Sequence, residues 1–382
     1  EPLGVKPRDA ERSKNFFALG LVSWLYSRPI EPTLEWINTR FKELVKESNL
    51  AALKAGFNFG ETSELFDHPY EVKPAQLPAG EYTNITGNTA LAWGLIAAGQ
   101  QAKLPVFLGS YPITPASDIL HELSKHKHFG VRTVQAEDEI AAAGMALGAA
   151  FAGHLGITTT SGPGVALKSE TTSLAVSLEL PFLLVDVQRG GPSTGLPTKT
   201  EQSDVFAACF SAHGDVVRPV LAPTSVADTF AITVEAFNIA EHYQTPVIVL
   251  SDQEISQRKE IVDPIDTSKF IIHERLKPTS ADLQDYKRFR ITESGISPIS
   301  HPGMLGGTYL ASGIEHNETG APLHTRGDGG PTSWQAAILT GEVPYNTCLG
   351  FALLRDAQGK EMHKSAGNSI AYEEAADRMS AA

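Results

Sequence analysis

Between residues 81 and 255, short apolar or β-branched runs alternate with stretches of helical character. The runs are 105–108, 132–134, 156–160, 182–187, 217–220 and 247–250, and the helical stretches between them are 117–124, 138–153, 165–178 and 225–243. This alternation predicts βα units: a mostly parallel sheet, doubly wound, with helices on both faces. In such sheets function sits in loops at the carboxyl ends of the strands. The loops after the first, third and fourth runs are the ones rich in Gly and Pro, at 109–115, 161–164 and 188–197.

The flanks read differently. Residues 1–65 are helical in pattern: 16–26 is apolar and aromatic, and 33–46 is amphipathic after the turn Arg28-Pro29-Ile30-Glu31-Pro32. Residues 66–80 carry Pro69, Pro74 and Pro78 and read as a linker. Residues 256–322 begin as charged, linker-like sequence, and 288–293 is a candidate opening of a second α/β unit. Residues 323–382 change character again. There is no internal repeat and no low-complexity tract.

Composition narrows the class. A chain of 382 residues, 42% hydrophobic and 20% charged, has the balance of a soluble globular protein with two or three domains. A net charge of −13 argues against nucleic acid or an anionic membrane as the main partner. No apolar run reaches the roughly 18–20 residues a membrane span needs. The start, Glu1-Pro2-Leu3-Gly4, has no basic region followed by an apolar core, so it does not read as a signal peptide. It also lacks an initiator Met, which points to a fragment. The two cysteines, Cys209 and Cys348, are far apart and fit a reducing, cytoplasmic compartment. They are too few for a four-Cys iron–sulfur cluster, so any clusters belong to another chain.

Four motifs carry candidate chemistry. In Gly109-Ser110-Tyr111-Pro112-Ile113-Thr114-Pro115-Ala116-Ser117, two prolines bracket Thr114 just after a strand, and Ser117 is a plausible N-cap. The motif suits an anion near a helix start; an ordinary strand–helix turn explains the same pattern. In Gln135-Ala136-Glu137-Asp138-Glu139, a carboxylate ends a strand and a helix of Ala and Gly follows. Its small residues allow a close approach, as at a subunit or domain seam. Asp138 and Glu139 read as dipole partners of the helix start, each worth about 0.3–1 kcal/mol. Glu137, at the strand end, is the better candidate for a buried carboxylate. In Ser161-Gly162-Pro163-Gly164 the glycines let a backbone come close to a ligand. In Gln188-Arg189-Gly190-Gly191, an Arg at a strand end faces a flexible loop; it is suited to holding a carboxylate, or is simply solvated.

Together these motifs resemble a known family. Residues 1–322 are similar to the alpha subunit of bacterial 2-oxoacid:ferredoxin oxidoreductases, most like the 2-oxoglutarate type, in the form that carries a gamma-type domain ahead of the alpha part. Residues 15–65 look like the end of that gamma-type domain. The alpha part is matched at 87–94, 111–123, 135–153, 161–168, 188–204 and 307–322. The resemblance implies that 81–255 is a thiamine-diphosphate pyrimidine-binding domain and that 256–322 starts a second, truncated α/β domain. It implies that Glu137 is catalytic and hydrogen-bonds the cofactor's ring nitrogen, with Gly162, Pro163 and Gly164 beside the cofactor. Thr114 and Arg189 match the positions that bind the substrate carboxylate; Lys199, Thr200 and Asp204 lie in the matching loop without individual roles. The implied reaction is oxidative decarboxylation of a 2-oxo acid to its acyl-CoA, with electrons passed to ferredoxin. The implied partner is a beta subunit that brings Mg2+, the diphosphate site and the iron–sulfur cluster, leaving no metal on this chain.

The tail departs from that pattern. Residues 341–380 resemble the end of the catalytic domain of an isoleucyl-type class I aminoacyl-tRNA synthetase, with Glu361-Met362-His363-Lys364-Ser365-Ala366-Gly367-Asn368 similar to its ATP loop. The companion His-x-Gly-His motif is absent, and a join of two genes at about residue 323 is the expectation. Gly327-Asp328-Gly329 reads as a coincidental turn. The rival readings are a synthetase fragment, resting on the tail alone, and a non-catalytic partner subunit. The latter predicts loss of Glu137, Thr114 or Arg189, yet all three are present.

Overall fold

A computed structural model describes residues 6–63, 68–214, 216 and 218–322. The chain divides into two compact units, Glu1–Gly80 and Glu81–Ala382.

In the first unit α1 (Pro7–Leu25), α2 (Glu31–Arg40) and α3 (Glu43–Thr62) follow one another. α1 and α3 touch backbone to backbone. A Cβ on Gly20 would fall 2.0 Å from the Leu53 carbonyl oxygen, and one on Gly56 would fall 1.9 Å from that of Phe17. Only residues without a side chain allow this crossing. Beside it, the Ser13 hydroxyl donates to Asn49 Oδ1 at 2.8 Å. The amphipathic stretch 33–46 is not one helix: Phe41 and Lys42 are extended, and the helix restarts at Glu43. The break sets the Phe41 ring edge-on against both Phe16 and Trp36, an aromatic contact that competes with helical continuity.

In the second unit the elements run β1 (Thr83–Thr86), α4 (Gly87–Gln101), β2 (Val106–Ser110), α5 (Ser117–Ser124), β3 (Val131–Gln135), α6 (Glu139–Phe151), β4 (Leu155–Thr160), α7 (Gly162–Leu167), α8 (Ser169–Ser177), β5 (Phe182–Gln188), α9 (Val205–Phe210), β6 (Val220–Leu221), α10 (Val226–Tyr243), β7 (Pro246–Asp252), α11 (Gln253–Gln257) and β8 (Lys259–Val262). Six strands form one sheet in the order β3-β2-β4-β5-β7-β6, and every pairing in it is parallel. The expected doubly wound α/β architecture is present. Strands β4, β5 and β7 are buried along their whole length, as parallel strands covered on both faces must be.

Alternation along β5 sorts its side chains. Leu183, Val185 and Val187 join the core under α4, α5 and α10, while Phe182 and Leu184 join the core under α6 to α9. The small residues of α6 serve the sheet first. A Cβ on Gly109 would meet the Ala142 carbonyl at 2.4 Å, and one on Gly156 would meet that of Ala146 at 2.2 Å.

Residues 256–322 hold β8, paired antiparallel with β1, and two short 3-10 turns. The stretch 288–293, expected to open a second α/β unit, contains no strand or helix. Its residues are used to tie the segment onto the sheet domain instead. Arg288 is fully buried, donating to Ser297 Oγ and pairing with Glu179 at 3.2 Å. Arg275 makes a two-pronged, buried contact with Glu241. The synthetase-like stretch 341–380 and Gly327-Asp328-Gly329 lie outside the described residues, as does Cys348; Cys209 is a free thiol. Among the described residues no helix is long and apolar enough to cross a membrane.

Candidate active site at the carboxyl edge of the sheet

Because the strands are parallel, the loops after β2, β3, β4 and β5 emerge at one edge. The loop after β2 is tightly pinned. Asn88 Nδ2 donates to the Pro115 carbonyl at 2.9 Å, and Ser110 Oγ meets Thr159 Oγ1 at 2.8 Å. Ser117 is not the N-cap expected: it is the first residue of α5, and Ala116 occupies the cap position. Its hydroxyl instead accepts from the Ile113 N–H at 2.9 Å and faces the Ile113 carbonyl at 3.1 Å, closing the 113–117 turn on itself. Thr114 is left exposed at the tip.

Arg189 reaches this loop from the end of β5. It is 7% exposed, so the solvated alternative fails. One terminal nitrogen donates to the Thr114 carbonyl and the other to the Thr194 carbonyl at 3.1 Å, while Nε has no partner among the described residues. The structure therefore brings Thr114 and Arg189 together. The following loop closes as a narrow hairpin, with Gly190 and Leu196 bridged and the Gly190 N–H donating to the Lys199 carbonyl at 2.9 Å. Gly195 has φ +52°, and a Cβ there would sit 1.9 Å from the Gly190 carbonyl, so glycine is required. Lys199 and Thr200 are exposed on it.

The acids after β3 divide otherwise than expected. Glu137 is exposed in this chain, not buried. It follows Ala136, whose N–H is tied to the Ser110 carbonyl at 2.9 Å, so the backbone is held while the side chain faces outward. Asp138 is the N-cap of α6, accepting from the Ala141 N–H at 2.7 Å. Glu139 is half-buried and turns inward toward α7.

Gly162, Pro163 and Gly164 open α7, the proline in its first turn. The close approach they permit is to protein. A Cβ on Gly164 would meet Thr160 Oγ1 at 1.9 Å and Glu139 Cγ at 3.0 Å. One on Gly162 would lie 2.8 and 2.9 Å from the two carboxylate oxygens of Asp204.

Beneath that turn lies a charged cluster that sequence reading passed over. Lys168, at the end of α7, is completely buried; its ammonium donates to Thr158 Oγ1 at 2.7 Å and to the Thr159 carbonyl at 3.2 Å. Burial brings its pKa down to about 8, against the pull of Glu139 and Asp186. Asp186 is also completely buried, and neither carboxylate oxygen has a hydrogen-bond partner among the described residues. Burial, and then the neighbouring Asp204, push it well above the usual carboxylate range, with Lys168 opposing. The signal was legible. Asp186 is two residues on from Leu184 in a strand of otherwise apolar neighbours, so alternation places it on the α6–α9 face. An ionisable residue there asks for a partner. Asp204 completes the group, its N–H donating to Gln188 Oε1 at 3.0 Å. Among the described residues no three His, Cys, Asp or Glu side chains are placed to hold a metal ion.

With this geometry in view, the likenesses to known proteins are informative. Residues 98–328 match the family described as pyruvate flavodoxin/ferredoxin oxidoreductase, thiamine diphosphate-binding. The chain is 52% identical over 319 residues to the 2-oxoglutarate oxidoreductase subunit KorA of Mycobacterium tuberculosis, covering 82% of this chain and 48% of that protein. It is 36% identical over 336 residues to the 2-oxoacid:ferredoxin oxidoreductase 2 subunit alpha of Aeropyrum pernix, covering 81% and 50%. It also superposes, with TM-score 0.69 and 40% identity, on the solved 2-oxoglutarate:ferredoxin oxidoreductase from Magnetococcus marinus. That structure has 2-oxoglutarate, coenzyme A and succinyl-CoA bound, and the match covers 82% of this chain and 54% of that one. The chain thus spans about half the length of the curated relatives it matches.

Proposed function

Because the chain belongs to the pyruvate flavodoxin/ferredoxin oxidoreductase family and carries its thiamine-diphosphate-binding domain, we propose that it is the alpha subunit of a 2-oxoacid:ferredoxin oxidoreductase acting on 2-oxoglutarate. The proposed reaction converts the 2-oxo acid and coenzyme A to an acyl-CoA and CO2, with the electrons passed to ferredoxin. The observation that carries this reading is the buried guanidinium of Arg189, anchored to the Thr114 loop at the carboxyl edge of the sheet. A planar cation held by two carbonyls, with Nε unpartnered, is preorganised for a carboxylate.

The residues present fit thiamine diphosphate on one side only. Glu137 is an exposed carboxylate on a pinned backbone, and the Ser161 hydroxyl is buried without a partner among the described residues, beside the Gly162–Gly164 turn. When bound, the cofactor would supply the carbon nucleophile and the electron sink that decarboxylation of a 2-oxo acid requires. Glu137 would hold a proton at the pyrimidine ring nitrogen; Gly162, Pro163 and Gly164 would lie beside the ring. Thr114 and Arg189 would orient the substrate carboxylate and keep it away from Glu137. The proposed beta subunit would bring Mg2+, the diphosphate site and the iron–sulfur cluster, and would cover Glu137. A cytoplasmic setting is part of the same reading, supported by the free thiol of Cys209.

The test is reconstitution with a beta subunit from the same source, assayed for ferredoxin reduction against a panel of 2-oxo acids. Turnover that needs both chains and coenzyme A and favours 2-oxoglutarate is expected. Equal rates on every acid, or reduction by either chain alone, would overturn the proposal.

A further inference from the structure

Ala231, Val234, Glu235 and Asn238 follow one another at helical spacing and share one face of α10. Across that face runs the chain 269–273, extended at Phe270. Asn238 holds it in place with both ends of its amide. Nδ2 donates to the Ile271 carbonyl and Oδ1 accepts from the His273 N–H, each at 2.8 Å. The side chain thus does for this segment what the edge of a neighbouring strand would do. Alternation then sorts the residues along it. Phe270 and Ile272 turn inward and pack with Phe230 and Val234, the Phe270 ring 5.2 Å from that of Phe230. Lys269, Ile271 and His273 are exposed.

Between the helix and this chain lies a cavity of about 300 Å³, lined by none of Thr114, Glu137, Arg189 and the Gly162–Gly164 turn. Val234 and Phe270 give it apolar walls. Glu235 brings a carboxylate from the helix, and Lys269 and His273 bring an ammonium and an imidazole from the chain opposite. Glu235 has no hydrogen bond or ion pair among the described residues. The Lys269 ammonium stands 3.8 Å from Asp266, but both side chains of that pair are exposed, so it contributes little. The His273 ring rests 5.6 Å from that of His242.

We propose that this cavity is a binding site for a small zwitterion with an apolar side chain, that is, a free hydrophobic α-amino acid. Its ammonium meets Glu235, its carboxylate meets Lys269 and His273, and its side chain lies on Val234 and Phe270. Opposite charges on facing walls match both groups of a zwitterion, whereas a dicarboxylate or a diamine leaves one like-charge contact. The volume is at the small end of ligand pockets, which run from about 300 to 1,000 Å³, and suits a free amino acid. Because Asn238 fixes the far wall in advance, binding does not have to order it. Binding is reversible and changes no covalent bond. The proposal is independent of the roles assigned at the carboxyl edge.

Calorimetry of the full chain with L-leucine tests this. Two probes each lack one charged group: 4-methylpentanoate has no ammonium, and 3-methylbutylamine has no carboxylate. Leucine should saturate one site, and each truncated probe should bind about three- to tenfold more weakly. Glu235→Gln, at an exposed position, should leave the unfolding midpoint unchanged and weaken leucine by the same factor, while 4-methylpentanoate binds as before. Ala231→Phe fills the cavity from the helix side and should abolish leucine binding. The absence of saturable binding by leucine, valine and phenylalanine overturns the proposal. Equal affinity for leucine and 4-methylpentanoate overturns it as well, because the ammonium then has no partner. Leucine affinity unchanged in Glu235→Gln puts the amino acid elsewhere on the chain and does the same.

Discussion

The two halves of the sheet's carboxyl edge treat ionisable groups in opposite ways. After β3, Glu137 and Asp138 stand in solvent on a backbone tied by the Ala136 N–H to the Ser110 carbonyl. After β4 and β5, Lys168, Asp186 and Arg189 are withdrawn into the protein, and Asp204 is wedged against Gly162. Asp138 caps α6, whereas Glu137 has no hydrogen-bond partner among the described residues. A buried carboxylate must be answered locally or change its protonation. The buried half is therefore largely self-contained, and the exposed half is where the proposed second chain would supply what is missing.

That contrast is open to test by substitution. The largest effect is expected at Glu137→Gln. It should leave unfolding unchanged, because the side chain is exposed, yet lower turnover of the reconstituted complex by about 10²–10⁴-fold, because an amide cannot share its proton with a ring nitrogen. Deuterium exchange at the cofactor C2 measures this, and unchanged exchange would remove Glu137 from its role.

Lys168→Ala should do the reverse and act on stability. It leaves the Thr158 hydroxyl and the Thr159 carbonyl without their donor in the interior, at a cost of about 1–3 kcal/mol for each group, to be read from urea unfolding of the chain. A cost comparable to that of an exposed lysine would mean the cluster is not dry.

Arg189→Lys sits where the halves meet. Replacing a planar fork by a point charge should lower kcat/KM for 2-oxo acids by about 1–3 kcal/mol with little change in the unfolding midpoint. Values within about twofold of the parent would make the guanidinium a purely structural tie.

Asp186 has a signed pH prediction. Its pKa in the folded chain is raised, so its contribution is fully present below the ordinary carboxylate value and is lost as pH rises through the folded one. Asp186→Asn should therefore unfold at about the same midpoint as the parent in acid and at a higher one near neutrality. Parallel stability curves for the two proteins would contradict this.

The smallest effect belongs to Asp138→Ala. It removes the cap of α6 at the exposed edge and should cost about 1 kcal/mol in thermal unfolding; a loss several times larger would show that Asp138 does more than cap.

Much of this was legible in the chain. Helix and strand periods placed the βα order, and alternation alone explains why β5 feeds two cores. The Gly/Pro-rich loops pointed to the edge where Thr114 and Arg189 meet. Other features were not readable. The 33–46 helix breaks because Phe41 packs on the ring of Phe16, which lies on a different helix, as well as on that of nearby Trp36. The 288–293 stretch forms no strand because Arg288 is drawn into the domain by Glu179 and Ser297. The short strand β1 and the hydrophobic helix α4 lack a one-sided pattern, since α4 is covered on nearly all sides.

The division has a physical reason. Local spacing sets which residues share a face, because backbone periods of 3.6 and 2 are properties of the chain itself. Which charges end up dry is decided by neighbours brought together from distant segments. From local sequence, Glu137 was the better candidate for burial and Lys168 drew no notice. Tertiary structure exposed the first and buried the second, by placing the Thr158 hydroxyl and the Thr159 carbonyl around one ammonium while Glu137 stays open to solvent among the described residues.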